Sequence, residues 1–468
     1  MESEATKDDG IFLSCLKRLV GKVMDTACTA KKLGQDDPRR VVHSLKVGAA
    51  LTLVSLLYYL KPLYDGFGTS AIWALMTVVV IFEYSVGATL GKGLNRGLAT
   101  LLAGALGVGV HYVASLFGNI GEPIVIGSFV FLQAAISTFI RFFPRIKARF
   151  DYGFLIFILT FSMVSLSGFR ENSIIEFAHK RLSTILVGGF TCVVICTCIC
   201  PVWAGEDLHN LVALNIEKLG DFLEGFGNEY FRLSEDEDCN SEKSVLQAYK
   251  SVLTSKNTEE ALVNFARWEP GHGKFRFRHP WKQYLIIGSA TRECAYRIEA
   301  LTGCLNSEIQ AQVEIKSKMQ EECMKMTSEC SKALKELASA VKQMTKPSSA
   351  EPHIENSKNA TNRLKSLIKS DLWKGTELLA VIPAATVASL LIDIVICTEK
   401  ISNSVHELAS LAHFKSAKPK VSPEEKTEGS ELEIIELPSC EDCSSVVITV
   451  HESSDALPAS ANNRHMPL

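Results

Sequence analysis

The sequence predicts an all-α, polytopic membrane protein: six transmembrane helices, then a cytosolic helical bundle and a disordered tail. Two observations carry this prediction. The first 203 residues hold six apolar runs near the length of about 20 residues that a bilayer-spanning helix needs. Beyond them the chain is rich in Lys and Glu, with apolar residues at steps of three and four that are typical of amphipathic helices. The net charge of −3 gives no indication of nucleic-acid binding.

These patterns divide the chain into four expected segments. Residues 1–43 form a polar cytosolic segment, 44–203 the six-helix transmembrane domain, and 204–415 a cytosolic helical domain. Residues 416–468, rich in Ser, Pro and Glu, form a tail with too few apolar residues for a packed core. The polar N-terminus contains no cleavable signal peptide, so we expect the first apolar run to remain in the membrane.

The six apolar runs define the predicted spans, and the joins between them are short, which favours antiparallel neighbours. The first run is the shortest, so Lys46 and Lys61 would extend toward the headgroups. The predicted spans are Leu45–Leu60, Ser70–Ala88, Gly97–Phe117, Pro123–Ile140, Tyr152–Gly168 and Leu182–Trp203.

Lys and Arg accumulate in the N-terminal segment and in alternate joins, which predicts that both termini face the cytosol. The fifth join breaks this pattern. It should face outward, yet it holds Arg170, Lys180 and Arg181. An exception to the positive-inside rule is a candidate functional feature.

Two arginines occupy matching positions in a short internal repeat, "RGLATLLAG" at Arg96 and "RLSTILVGG" at Arg181. We expect them at the N-termini of the third and sixth helices, one at each end of the membrane region. Arginine near lipid is expensive without a function or a partner, and a helix N-terminus adds unpaired N–H groups. Because the guanidinium fork suits a carboxylate, the pattern predicts an anion path. Lys92 belongs to the same basic join; the alternative that Lys92 and Arg96 only contact lipid phosphates stays open.

Other polar residues within the apolar runs receive structural interpretations. Glu83 is a candidate counter-charge for a basic residue, in preference to a proton relay, and His111 is a candidate packing residue. The sequence contains no nucleophile–base pair, phosphate loop or metal-ligand spacing, so we expect neither an enzyme nor a cofactor or metal.

Two later stretches need separate interpretation. The apolar run Glu377–Cys397 is long enough for a seventh span, but Pro383 and Asp393 interrupt it, so we expect a bundle helix. The stretch "FARWEPGHGKFRFRHPWKQY" at 265–284 combines aromatic and basic residues that nucleic acid or a membrane surface could use. A structured loop, pinned by aromatic residues and Glu269-Pro270, is the favoured alternative.

Several long motifs together resemble the aluminium-activated malate transporter family of plants, over about Asp36 to His413. They are "DDPRRVVHSLKVG", "AIWALMTVVVIFEYSVGATLGKGLNRG", "FDYGFLIFILTFSMVSLSGF", "CPVWAGEDLH" and "WEPGHG". The resemblance implies a homodimeric channel for malate and other anions, surrounded by membrane lipid, with Arg96 and Arg181 lining its pore. It also implies that the segment Trp268, Glu269 and Pro270 supports activity.

Some members of that family respond to external aluminium through outward acidic residues, for which the candidates are Asp65, Glu122, Glu171 and Glu176. Members occupy either the plasma membrane or the vacuolar membrane, and the short N-terminus favours the plasma membrane. A proton-coupled or vacuolar carboxylate or inorganic anion carrier, with Glu83 or His111 carrying the proton, remains an alternative. A non-transporting scaffold is another.

Overall fold

The computed structural model describes residues 2–61, 68–167, 174–231, 247–307, 311–369 and 378–416. These residues form helices and two isolated β-bridges, so the all-α prediction is confirmed. We label the α-helices in chain order: α1 Glu2–Asp36, α2 Pro38–Tyr59, α3 Ile72–Ile81, α4 Val86–Ser115, α5 Gly118–Ile140, α6 Pro144–Ser167, α7 Ile174–Cys198, α8 Ala204–Phe231, α9 Lys250–Leu253, α10 Lys256–Ala266, α11 Trp281–Leu305, α12 Val313–Gln343, α13 Glu351–Lys369 and α14 Leu378–Leu411.

The prediction of one continuous helix over Ser70–Ala88 is wrong. Helix α3 has only 10 residues, and its C-cap Phe82 is already extended. The chain remains non-helical up to Ser85, whose side chain caps α4 by accepting from the Ala88 amide at 3.3 Å. This N-cap starts the next helix eleven residues before the predicted Gly97.

Six helices of the described residues are long and apolar enough to cross a membrane. This number equals the number of predicted spans, but one of the six helices is not a predicted span. Five of them, α2, α4, α5, α6 and α7, overlap predicted spans. The sixth is Val381–Leu411 of α14, whereas α3 is too short to be counted. Length and composition therefore do not separate α14 from the membrane helices.

The first layer of the fold consists of α2 to α7, in which α4 packs against α5, α6 and α7. Helices α4 and α6 run parallel, because Arg96 contacts Tyr152 and, further along, Gly107 lies against Val164. Helix α7 approaches α3 so closely that a Cβ at Gly188 would lie 2.7 Å from a backbone oxygen of α3. Only glycine fits this contact without a shift of backbone.

The second layer consists of α8 to α14 around one hydrophobic core, in which α12 packs on α8 and α14 packs on α11 and α12. From α14, Leu391, Ile401 and Val405 are at most 1% exposed within this core. Each such side chain stabilises the layer by about 1.5–3 kcal/mol relative to exposure. The packing of α14 therefore agrees with its interpretation as a bundle helix.

Candidate functional site

Arg96 is 4% exposed and lies on α4, against α6. Its Nη1 donates to the Tyr152 hydroxyl at 3.0 Å, while its Nε has no hydrogen-bond partner among the described residues. Since α4 begins at Val86, Arg96 lies in the third turn of the helix. The expectation that it lies at a helix N-terminus is therefore wrong.

Arg181 is 3% exposed and lies in the second turn of α7, which begins at Ile174. The expectation that Arg181 lies at a helix N-terminus is therefore also wrong. The guanidinium carbon lies 4.1 Å from the centroid of the Trp73 ring, a cation–π contact with α3. Within the part of the chain that the structure describes, Nε and Nη1 of Arg181 have no hydrogen-bond partner.

The two arginines lie within electrostatic range of each other on the packed helices α4 and α7, and not at opposite ends of the membrane region. Arg96 is a charged neighbour close enough for its charge to act on Arg181. Among the described residues no carboxylate pairs with either guanidinium. Two like charges that are buried together favour a mobile anion between or beside them.

Buried hydroxyl groups lie beyond Arg96 on the packed helices α4 and α6. Thr100 follows Arg96 by one turn on α4, and Thr160 and Ser165 lie on α6. All three side chains are at most 3% exposed, and their oxygens have no hydrogen-bond partner in the described ranges. Unpaired polar groups are expensive in an apolar layer, so this interface suits water or a polar solute.

Lys92, by contrast, has a counter-charge. Its ammonium pairs with the Glu83 carboxylate, and Nζ also lies 5.8 Å from the centroid of the Tyr152 ring. Glu83 lies in the non-helical segment between α3 and α4. The basic join therefore contains one paired cation, Lys92, and one buried cation without a carboxylate, Arg96.

Of the four acidic residues proposed for external aluminium, Asp65 and Glu171 lie outside the described residues. Glu122 lies 3.5 Å from Nδ1 of His111, and Glu176 pairs with Lys180 at 2.8 Å. The described residues contain no group of three His, Cys, Asp or Glu that could hold a metal ion.

Glu269 contacts the N-terminal end of one helix in each layer, α4 in the first layer and α8 in the second. Its carboxylate accepts from the backbone amides of Ala204 at 2.6 Å and Gly205 at 3.0 Å, which are the first two residues of α8. It also faces the Gly87 amide in the first turn of α4. Burial raises the pKa of the Glu269 carboxyl, and the amides of Gly205 and Ala204 oppose this rise. The carboxylate thus caps two helices at once.

Aromatic side chains surround this joint. The Trp268 ring lies against Gly91 of α4 so closely that a Cβ there would be 2.8 Å from Cδ1, and Arg149 of α6 lies over the same ring at 5.1 Å. Trp203 stacks on His272 with ring centroids 3.8 Å apart. The stretch 265–284 therefore contains the end of α10, a structured loop and the start of α11.

Three side chains beside the joint form a buried hydrogen-bonded chain. The Tyr284 hydroxyl lies 2.9 Å from Nδ1 of His209 and 3.1 Å from Nε2 of His279. Burial lowers the pKa of each histidine to about 4. Both rings are therefore neutral near pH 7.

Known proteins of plants resemble this chain over most of its length. The family model described as aluminium activated malate transporter matches residues 31–373. The chain belongs to this family. Aluminum-activated malate transporter 2 of Arabidopsis thaliana is 54% identical over 400 residues, 85% of this chain and 80% of its own length. Aluminum-activated malate transporter 1 of Arabidopsis thaliana is 51% identical over 438 residues, 92% of this chain and 89% of its own. The protein named aluminum-activated malate transporter 1 in Triticum aestivum is 45% identical over 421 residues, 87% of this chain and 90% of its own.

Three contacts of the site are not evident from the sequence patterns. These patterns did not predict that Tyr152 orients Arg96, that Trp73 covers Arg181, or that Glu269 caps α8. For Glu269 a signal existed, since "AGEDLHNL" follows a proline-containing break and starts a helix that needs a cap. Contacts between helices that are distant in sequence gave no such signal.

Proposed function

We propose that this chain forms a passive channel for malate and related anions, with Arg96 and Arg181 lining the anion path. The observation that carries the proposal is the pair of neighbouring buried guanidiniums, to which no described carboxylate is paired. Malate is the substrate in the names of the relatives. A dicarboxylate offers two groups that match the guanidinium fork.

The hydroxyls of Thr100, Thr160 and Ser165 extend this path along the parallel pair α4 and α6. Hydroxyl groups can solvate an anion without holding it tightly, which conduction requires. Lys92 contributes less than Arg96, because Glu83 neutralises it.

We further propose a topology, an assembly and a location for the chain. Both termini face the cytosol, the second layer lies beneath the membrane as a cytosolic bundle, and two copies of the chain assemble around one pore. The plasma membrane is its location, and the two described acidic candidates, Glu122 and Glu176, would have to leave His111 and Lys180 to bind aluminium.

The test is malate current through purified protein in planar bilayers. Arg96→Gln and Arg181→Gln should each lower the malate current by about tenfold or more, equivalent to about 1.4 kcal/mol of barrier. Arg145→Gln is the matched control, because it removes an exposed arginine on α6 without a described ion pair. Malate current of the normal size in both pore variants would overturn the proposed anion path.

A proton-coupled carrier is the second candidate, favoured by one observation. The break between α3 and α4 places Glu83 beside an interrupted helix, an arrangement that coupled transporters use near their binding sites. A carrier of this kind would shift its reversal potential with pH at fixed malate gradients, whereas a passive anion channel would not.

A further inference from the structure

A second basic feature lies outside the proposed anion path. A cavity of about 510 Å³ opens where the start of α6 meets the loop between α10 and α11 and the end of α14. Five basic side chains line it: Arg149, Arg267, Arg276, Arg278 and Lys282. We call this cavity the basic pocket.

The basic pocket contains almost no compensating negative charge. Glu269 is the one carboxylate among its lining residues, and that carboxylate already accepts from the amides of Ala204 and Gly205. In the described ranges none of the five cations forms an ion pair with a carboxylate.

Two of the five cations repel each other directly. Burial lowers the pKa of Arg267, and the neighbouring charge of Arg149 lowers it further. Arg149 comes from α6, whereas Arg267 follows α10. The fold therefore brings like charges together from separate elements, and an anion between them would relieve the repulsion.

The arrangement of the cations indicates the charge and shape of the anion. Several arginines around one cavity match an anion with many oxygens and more than one negative charge, and the guanidinium fork binds phosphate bidentately. The volume lies within the range of about 300–1,000 Å³ that is usual for small-molecule sites. Clusters of basic residues next to a membrane helix attract phosphorylated lipid headgroups.

We propose that the basic pocket binds a multiply phosphorylated inositol group, supplied either as a lipid headgroup or as the free inositol phosphate. The bound anion bridges α6 and the loop after α10. The Arg149 carbonyl accepts from Asn95 at 3.1 Å, and Tyr152 in the next turn holds Arg96. An anion in the basic pocket therefore influences the position of Arg96 through α6. Binding of the anion can be measured without any transport.

The experiment measures binding by full-length protein purified in detergent. The probes are dioctanoyl phosphatidylinositol 4,5-bisphosphate and soluble inositol 1,4,5-trisphosphate. The pocket variant is Arg267→Gln with Arg276→Gln. We expect its affinity to be about 30-fold weaker, at about 1 kcal/mol for each basic residue. The matched control is Lys318→Gln with Lys365→Gln, two exposed lysines of the second layer without described ion pairs.

The two probes distinguish the two sources of the ligand. Equal affinities support the proposal with the free anion as a sufficient ligand, and tighter binding of the dioctanoyl lipid supports it with a lipid headgroup. Absence of saturable binding of both probes overturns the proposal, as does wild-type affinity in the pocket variant or an equal loss in the control.

A third variant keeps the test decisive if the double variant folds poorly. Lys282 is exposed in the first turn of α11, where loss of a cation does not destabilise a helix. Lys282→Gln should keep the thermal unfolding temperature and bind about fivefold more weakly, by the same scale of about 1 kcal/mol. Unchanged affinity in this folded variant also overturns the proposal.

Discussion

Replacing Glu269 with alanine removes the carboxylate that caps α8 and faces the first turn of α4. Two buried amides, those of Ala204 and Gly205, then lose hydrogen bonds of 2.6 and 3.0 Å. Loss of an N-cap costs about 0.5–2 kcal/mol, and a buried amide left without a partner costs about 1–3 kcal/mol. Since water can enter part of the space left by the side chain, we expect a total loss of about 2–4 kcal/mol.

The loss of stability is measured as a change in the thermal unfolding temperature of the purified protein. Size-exclusion chromatography with fluorescence detection monitors the unfolding. The unfolding temperature of Glu269→Ala should fall by about 4–16 °C, at about 2–4 °C for each kcal/mol. Glu269→Gln keeps one acceptor oxygen and should show about half of this shift. The control is Glu260→Ala, which truncates an exposed glutamate on α10. Equal unfolding temperatures for Glu269→Ala and the control would refute the capping role.

Three further predictions concern packing, pH and charge. Gly188→Ala should lower the free energy of unfolding by about 1–3 kcal/mol, because the new methyl group clashes with α3. Gly109→Ala should leave it unchanged, because the space around its Cβ is open. The pKa of His279 is about 4 in the folded chain and about 6.5 when unfolded. The unfolded chain therefore binds more protons between these values, and stability falls as pH drops from 7 to 5. His279→Gln should weaken this dependence in thermal unfolding. Lys92→Gln leaves Glu83 unpaired and should reduce malate current, and adding Glu83→Gln should restore it.

Equal unfolding temperatures for the two glycine variants would show that the contact between α7 and α3 can relax. A pH dependence that is the same in His279→Gln would place its origin elsewhere. If the double charge variant conducts no better than Lys92→Gln alone, Lys92 acts on the anion itself and not through its ion pair.

Sequence patterns predicted the all-α class because apolar runs and helical periodicity are local properties of the chain. They failed at residues 82–85, where the apolar content of the flanking residues hides a break of four residues. The signal was present in Ser85, a good N-cap, but hydropathy averages over such a position. The same error placed Arg96 at a helix start, although it lies in the third turn of α4.

The proximity of Arg96 and Arg181 could not be predicted from the sequence, because it depends on how α4 and α7 pack. The repeat singled out both arginines but placed them at opposite ends of the membrane region. Similarly, the aromatic content of the Trp268 segment predicted a structured loop, but not which helices it would contact. Pairings across long sequence separations follow from tertiary packing, and a single sequence records them poorly.

The position of Glu269 has a consequence for the order of events during synthesis. Its carboxylate emerges from the ribosome 65 residues after Ala204, whose amide it accepts, and much later than Gly87. Until then the first turns of α4 and α8 carry amides that must be hydrated. A nascent chain that stops before this residue therefore lacks the carboxylate that faces the first turn of α4 and caps α8.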